Sequence, residues 1–232
     1  MSSPTMMPMS LEEIAQAVQG RLIAGTAAID TPVATSTFTD SRQIVEGSVF
    51  VAIAGERVDG HDYVSKVGAQ GAVAAIVDHE IDGAGVPQIV VEDTVLALGA
   101  LAKHNIERRR ALETPFTVIG ITGSVGKTTT KDLMKALLAH IGPTIAPVGS
   151  FNNEIGLPLT SLKVHAETRF LVAEMGANHV GEIANLTSLV PPDIAVVLKV
   201  GVAHLGEFGS PERIAQAKSE SSVVLFQVVF PY

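Results

Sequence analysis

Apolar and polar positions change rhythm along this chain. Ser10 and Glu13 have the spacing of a helix capping box, and Leu11, Ile14, Ala15 and Val18 form an apolar stripe that Gly20 closes. Short β-branched runs follow at 48–53 (SVFVAI), 71–78 (GAVAAIVD) and 87–92 (PQIVVE), with polar turns such as TDSRQIVEG and ERVDGHDY between them. From Thr94 to Arg110 the pattern predicts a helix ending in the basic cluster ERRR. The stretch 111–115, ALETP, then reads as a linker, because Pro115 discourages helix at Thr114.

Past the linker, strand-like and helical segments alternate. Strands are predicted at 116–122, 169–175 and 193–200, with PTIAPV at 143–148 between two helices. Helices are predicted at 127–140, around 155–163, at 181–190 and at 211–220. Alternation of this kind gives an α/β fold with a mostly parallel sheet and helices on its faces. Two domains are expected, 1–113 and 114–232, with no internal repeat.

Composition narrows the chemistry. The chain has 232 residues, 47% of them apolar and 17% charged, enough for a real core. It has no cysteine, which excludes disulfides and cysteine metal sites. A formal charge of −8 argues against a nucleic-acid or anionic-membrane surface. Positive charge for an anionic ligand must therefore be local. The start, MSSPTMMPMS, lacks the pattern of a signal peptide, and no uninterrupted apolar run reaches about 18 residues. A cytoplasmic protein without membrane insertion is expected.

The sharpest chemical signal is FTVIGITGSVGKTTTKDLMKALL at 116–138. It supplies a buried strand, a glycine turn and a helix whose first amides face an anion. One glycine is displaced. The common phosphate-loop spacing wants glycine at position 121, where this chain has Ile121; Gly120 is one place early and Gly123 two places late. Gly123, Ser124, Val125, Gly126, Lys127, Thr128 and Thr129 still form a nucleotide-binding loop in this reading. Lys127 reaches the terminal phosphates and Thr128 holds magnesium.

This variant loop, TGSVGKTTTK, resembles that of the Mur ligases, ATP-dependent amide ligases of peptidoglycan synthesis. GSFNNEIGLPLTSL, AEMGANHVGEIANL and GVAHLGEFGSPERIAQAKSE are similar to later landmarks of the branch that adds D-alanyl-D-alanine. Upstream, TDSRQIVEGSVFVAIAGERVDGHDYV resembles the family's UDP-sugar-peptide domain. The resemblance runs from about residue 11 to Glu220. It implies a small N-terminal UDP-muramoyl-peptide domain followed by a central P-loop ATPase domain. It also implies ATP, two Mg2+ sites, and UDP-N-acetylmuramoyl-tripeptide and D-alanyl-D-alanine as substrates of a monomer. A sibling ligase with another acceptor and a non-catalytic nucleotide-binding remnant are the alternatives.

The resemblance assigns Lys127, Glu174, His204 and Lys218 to catalysis, with Thr128, Glu174, His204 and Lys218 around the metals. Glu174 and His204 follow parallel strands, on the side where ligands of such sheets collect. A lysine ammonium has no acceptor for a metal. The resemblance implies that Lys218 is carbamylated; the residues alone suggest a helix-surface lysine. By the same resemblance Asn152 lies near the UDP-muramoyl substrate and Asn153 near the nucleotide, although either amide could cap a helix. Ser41, Arg42, Gly60 and His61 look like uridine-diphosphate contacts, and an Asx-type turn with an exposed Arg42 is the plainer alternative.

After Glu220 the run SSVVLFQVVFPY departs from the family pattern. The central domain is therefore expected to be incomplete and the family's third, Rossmann-like domain absent, through truncation, frameshift or fragmentation. Such a chain is expected to be inactive alone.

Overall fold

The computed structural model describes residues 6–23, 34–199 and 211–220. The chain forms two compact units, Met1–Arg108 and Arg109–Tyr232.

The first unit holds a five-stranded sheet in the order β1-β5-β4-β3-β2. Its strands are β1 (Arg21–Ile23), β2 (Ser36–Phe38), β3 (Ser48–Val51), β4 (Ala72–Val77) and β5 (Gln88–Val90). All neighbours run parallel except β1 against β5. Helix α1 (Leu11–Ala17) begins as its capping pattern predicts, with Ser10 Oγ accepting from the Glu13 amide at 3.0 Å. Phe50, Ala52, Val64, Val67, Ala75 and Val77 pack into one core cluster, to which α2 (Val64–Val67) contributes. Two of the polar turns contain short 3-10 segments, Ser41–Gln43 and Gly60–Tyr63, capped by Asp40 and Asp59.

Helix α3 (Thr94–Arg110) matches its predicted span. The units divide in its last turn, after Arg108. Arg109 is 1% exposed, and its guanidinium donates to the carbonyls of Thr168, Thr114 and Pro115. A buried guanidinium needs that many acceptors to offset its lost hydration. Those contacts tie Arg109 to the second unit.

The second unit has a parallel sheet ordered β7-β8-β6-β9. The strands are β6 (Thr117–Thr122), β7 (Thr144–Ile145), β8 (Phe170–Glu174) and β9 (Ile194–Val197). Helices α4 (Lys127–Ala139), α5 (Gly156–Ser161), α6 (Glu182–Leu189) and α7 (Pro211–Ser219) accompany them. Ile119, Ile121, Ala146 and Val172 form a core cluster, with Met134 and Leu138 of α4 packed against it. In register, Ile121 pairs with Glu174 and Thr122 with Val197. The C-terminal ends of β6, β8 and β9 are thereby neighbours, and the loop after β6 emerges beside Glu174. Among the described residues no helix is long and apolar enough to cross a membrane.

Candidate functional site

The turn from β6 to α4 is shaped by two glycines. Gly123 has φ +149°, and a Cβ there would lie 2.7 Å from Leu198 Cβ. Gly126, the residue before α4, has φ +90°. Both angles suit glycine, and at Gly123 the β9 end also leaves no room for a side chain. The displaced glycine of the motif thus serves the close approach of this loop to β9.

Among the described residues no side chain caps α4. The N-terminus of α6 contrasts with it: Glu220 Oε1 accepts from the Gly181 amide at 2.8 Å and Oε2 from the Ala184 amide at 3.1 Å. An anion already sits on α6, so α4 is the helix end suited to an incoming one. Lys127 lies at that end and donates from Nζ to the Gly123 carbonyl at 2.8 Å.

Glu174 faces this loop and is 1% exposed, so it is not a solvent-facing strand-end acid. Its Oε1 accepts from Asn152 Nδ2 at 2.9 Å and from Thr128 Oγ1 at 3.4 Å. Its Oε2 is buried with no hydrogen-bond partner among the described residues. Leaving such a carboxylate oxygen dry and unmatched costs on the order of several kcal/mol. A hard cation bound between Glu174 and Thr128 would satisfy it, and oxygen donors of this kind fit Mg2+.

Lys218 is buried too, at 3% exposure, and donates to the Ala177 carbonyl at 3.3 Å. The surface lysine suggested by the residues alone is corrected: α7 turns this side chain inward. Burial lowers its pKa to about 8, and the positive charge of Lys127 adds to that, while Glu182 and Glu220 oppose it. Asn153 accepts the Gly156 amide at 2.9 Å just ahead of α5, the capping alternative for that residue. Lys127, Asn152, Asn153, Asn178, Glu182 and Asn185 all border one cavity of about 310 Å³. Glu182 is held there by the Asn178 amide and His179, which keep its carboxyl below its ordinary pKa against the opposing effect of burial. His204 lies outside the described residues, as does the run after Glu220.

In the first unit Ser41, Arg42 and Gly60 border a second cavity of about 470 Å³. Asp40 accepts the Arg42 amide at 3.0 Å, so the Asx-type turn is present. Its carboxylate also takes Nε at 2.9 Å and Nη2 at 2.7 Å, and these bonds hold the Asp40 pKa at about 2. The cavity therefore presents Arg42 already engaged by a carboxylate. His61 does not border it. Its Nδ1 faces Asp59 Oδ1 at 2.6 Å, and its Nε2 accepts the Asp78 amide at 3.2 Å. Although His61, Asp78 and His79 cluster closely enough for a metal, that amide occupies the lone pair a metal needs on His61.

Comparison with known proteins places these two units. Residues 121–221 match the Mur ligase middle domain, and residues 35–106 match the family described as Mur ligase family, catalytic domain. The chain belongs to the Mur ligase family. It is 43% identical to the UDP-N-acetylmuramoyl-tripeptide--D-alanyl-D-alanine ligase of Mycobacterium bovis, over 93% of this chain and 46% of that protein. The crystal structure of MurF from Acinetobacter baumannii superposes with a TM-score of 0.83 at 39% identity, over 96% of this chain and 48% of that one. A Thermotoga maritima MurF ligase solved in complex with ADP gives 0.69 at 39% identity, over 80% and 42%. The chain spans about half the length of the curated relatives it matches.

Two features near this cluster of side chains escaped the sequence reading. One is the Glu220 cap on α6, formed two residues beyond Lys218. The other is Lys131, 1% exposed within α4, which sits one turn past Lys127 and Thr128 on the same helix face. That spacing was the available signal.

The pKa of Lys218 has a measurable consequence. The unfolded chain keeps this proton up to about 10.5, whereas the folded chain releases it near 8. Stability therefore rises with pH between those values, and the gain is lost as pH falls back through 8. In carbonate-free buffer, urea denaturation should show a rise of roughly 3 kcal/mol across that window, absent from Lys218→Met. Parallel pH profiles for the two proteins would contradict it.

Proposed function

We propose that this chain carries the UDP-substrate and ATP-binding parts of a cytoplasmic amide ligase that adds D-alanyl-D-alanine to UDP-N-acetylmuramoyl-tripeptide. The observation that carries the reading is the buried, half-satisfied Glu174 beside Thr128, at the foot of an uncapped helix bearing Lys127. The activity for which the Mycobacterium bovis relative is named and the ADP bound by the Thermotoga maritima enzyme support it.

In the proposed reaction an oxygen of the tripeptide carboxylate attacks the γ-phosphorus of ATP. The bond to the bridging oxygen breaks, giving ADP and an acyl phosphate. The dipeptide amine then attacks the acyl carbon, loses a proton and expels phosphate. Negative charge gathers around the phosphoryl group in the first step, so positioned cations do most of the catalysis. Lys127 and the α4 amides hold the phosphates, and Thr128 and Glu174 hold the metal. Bound there, Mg2+ would neutralise charge on the phosphoryl oxygens. Ser41, Arg42 and Gly60 take the uridine diphosphate, with Arg42 exchanging part of its Asp40 contact for phosphate. His61 supports that loop from behind.

Carbamylation of Lys218 belongs to the same proposal. The neutral amine attacks carbon dioxide, an N–C bond forms and one proton is released, which leaves an anion with oxygen acceptors. With a pKa of about 8, roughly one molecule in ten is neutral at pH 7, far more than for an ordinary lysine. A carbamate carbon signal should appear with 13C-bicarbonate and vanish in Lys218→Ala. A signal unchanged by that substitution would remove Lys218 from the metal site.

Lys127→Ala tests the loop. Charge-assisted phosphate contacts contribute roughly 1.5–3 kcal/mol each, so calorimetry should show ATP affinity at least about tenfold weaker with the circular dichroism unchanged. Unaltered affinity would sink the nucleotide-site reading.

A further inference from the structure

Lys131 has no part in the proposed chemistry, yet it is among the most deeply buried side chains of the chain. A lysine seldom lies inside unless its charge is matched. Its Nζ donates to the Pro147 carbonyl at 3.0 Å and the Gly149 carbonyl at 3.2 Å, and lies 3.0 Å from Asp132 Oδ1. Three partners match the three hydrogens of an ammonium. Two of them belong to the loop that leads from β7 to Asn152.

That loop has little else to hold it. Residues 148–151 are all exposed, including Val148 at 71% and Phe151 at 49%, so burial of apolar surface does not anchor them. Gly149 has φ +66°, a sharp turn whose carbonyl faces the lysine. Beyond the turn, Asn152 donates to Glu174 Oε1, and its own carbonyl accepts the Gly176 amide at 2.8 Å. A Cβ on Gly176 would lie 2.8 Å from the Asn152 side chain, so Asn152 sits tightly over β8's exit. Helix α4 thus grips the loop at one end through Lys131, and through Thr128 and Glu174 it meets the loop's other end at Asn152.

We propose that Lys131 is a positioning residue that sets Asn152 against Glu174, and so couples the phosphate-binding helix to the sugar-peptide substrate loop. The inference rests on the reading of α4 as the ATP helix and of Asn152 as a substrate contact. Lys131 touches neither ligand. It acts on the second site through backbone carbonyls, so its loss should affect one ligand more than the other.

Calorimetry on the 232-residue chain with Mg·ADP and with UDP-N-acetylmuramoyl-tripeptide tests this in Lys131→Met, Asn152→Ala and the double variant. Lys131→Met should keep Mg·ADP binding within about threefold and weaken tripeptide binding about tenfold. The double variant should bind the tripeptide no more weakly than Asn152→Ala, because one substitution acts through the other. Losses that add, or that fall equally on both ligands, would overturn the proposal. Lys131→Gln, which can still donate to a carbonyl, should lie between wild type and Lys131→Met. If neither variant folds, the lysine serves the fold alone and the proposal falls. Wild type that binds neither ligand would overturn the ligase reading instead. Amide exchange would then decide Lys131: faster exchange confined to 147–153 in Lys131→Met supports the coupling, and an unchanged loop overturns it.

Discussion

Glu174 ends β8 with one carboxylate oxygen bonded to Asn152 and Thr128 and the other buried and bare among the described residues. The parallel register of β6, β8 and β9 brings the phosphate loop to the carboxylate, and the cramped contact at Gly123 keeps the loop there. A buried carboxylate oxygen left unmatched is costly, and a bound cation would offset that cost. A metal and the phosphates it accompanies would supply the missing charge match.

Local charge solves the problem set by composition. A chain of formal charge −8 must gather positive charge where an anion is to bind, and Lys127 is placed to supply it, while two further lysines of the second unit lie deeper. Lys127 stands at the helix entrance, Lys131 lies beneath it holding a neighbouring loop, and Lys218 approaches from α7. Burial lowers the Lys218 pKa to about 8, which is the property carbamylation requires. Carboxylates moderate the cluster, since Glu220 occupies the end of α6 and Glu182 folds back on its own turn.

The order of strands and helices was legible wherever one period ran long enough, as in α3, α4 and β6, because periodicity records which face is buried. β1 and β2 were missed because RLI and STF sit in no longer β-branched run of the kind, PQIVVE, that marks the equally short β5, and α2 because four residues give one helical turn. The loop's shape, a glycine turn between β6 and α4 with Lys127 at the helix start, could be read despite the shifted spacing. Depth could not. Beyond the helical spacing of Lys131 from Lys127 and Thr128, nothing in TTTKDL or AQAKSE states that Lys131 and Lys218 point inward, since the carbonyls that take them come from distant segments. The partners of His61 were equally hidden: a motif histidine resembling a ligand contact is bonded on both nitrogens by Asp59 and Asp78.

In the proposed site Glu174 and Thr128 hold a divalent cation, and bound nucleotide phosphates complete its oxygen ligands. Electron paramagnetic resonance with Mn2+ in place of Mg2+ measures this directly. The wild-type chain should take up Mn2+ far more tightly with ADP present than without it. Glu174→Gln keeps the acceptor for Asn152 but removes the charge, and should weaken ADP-dependent Mn2+ binding by about tenfold or more. Mn2+ affinity that is indifferent to ADP, or equal in the two proteins, would contradict the account.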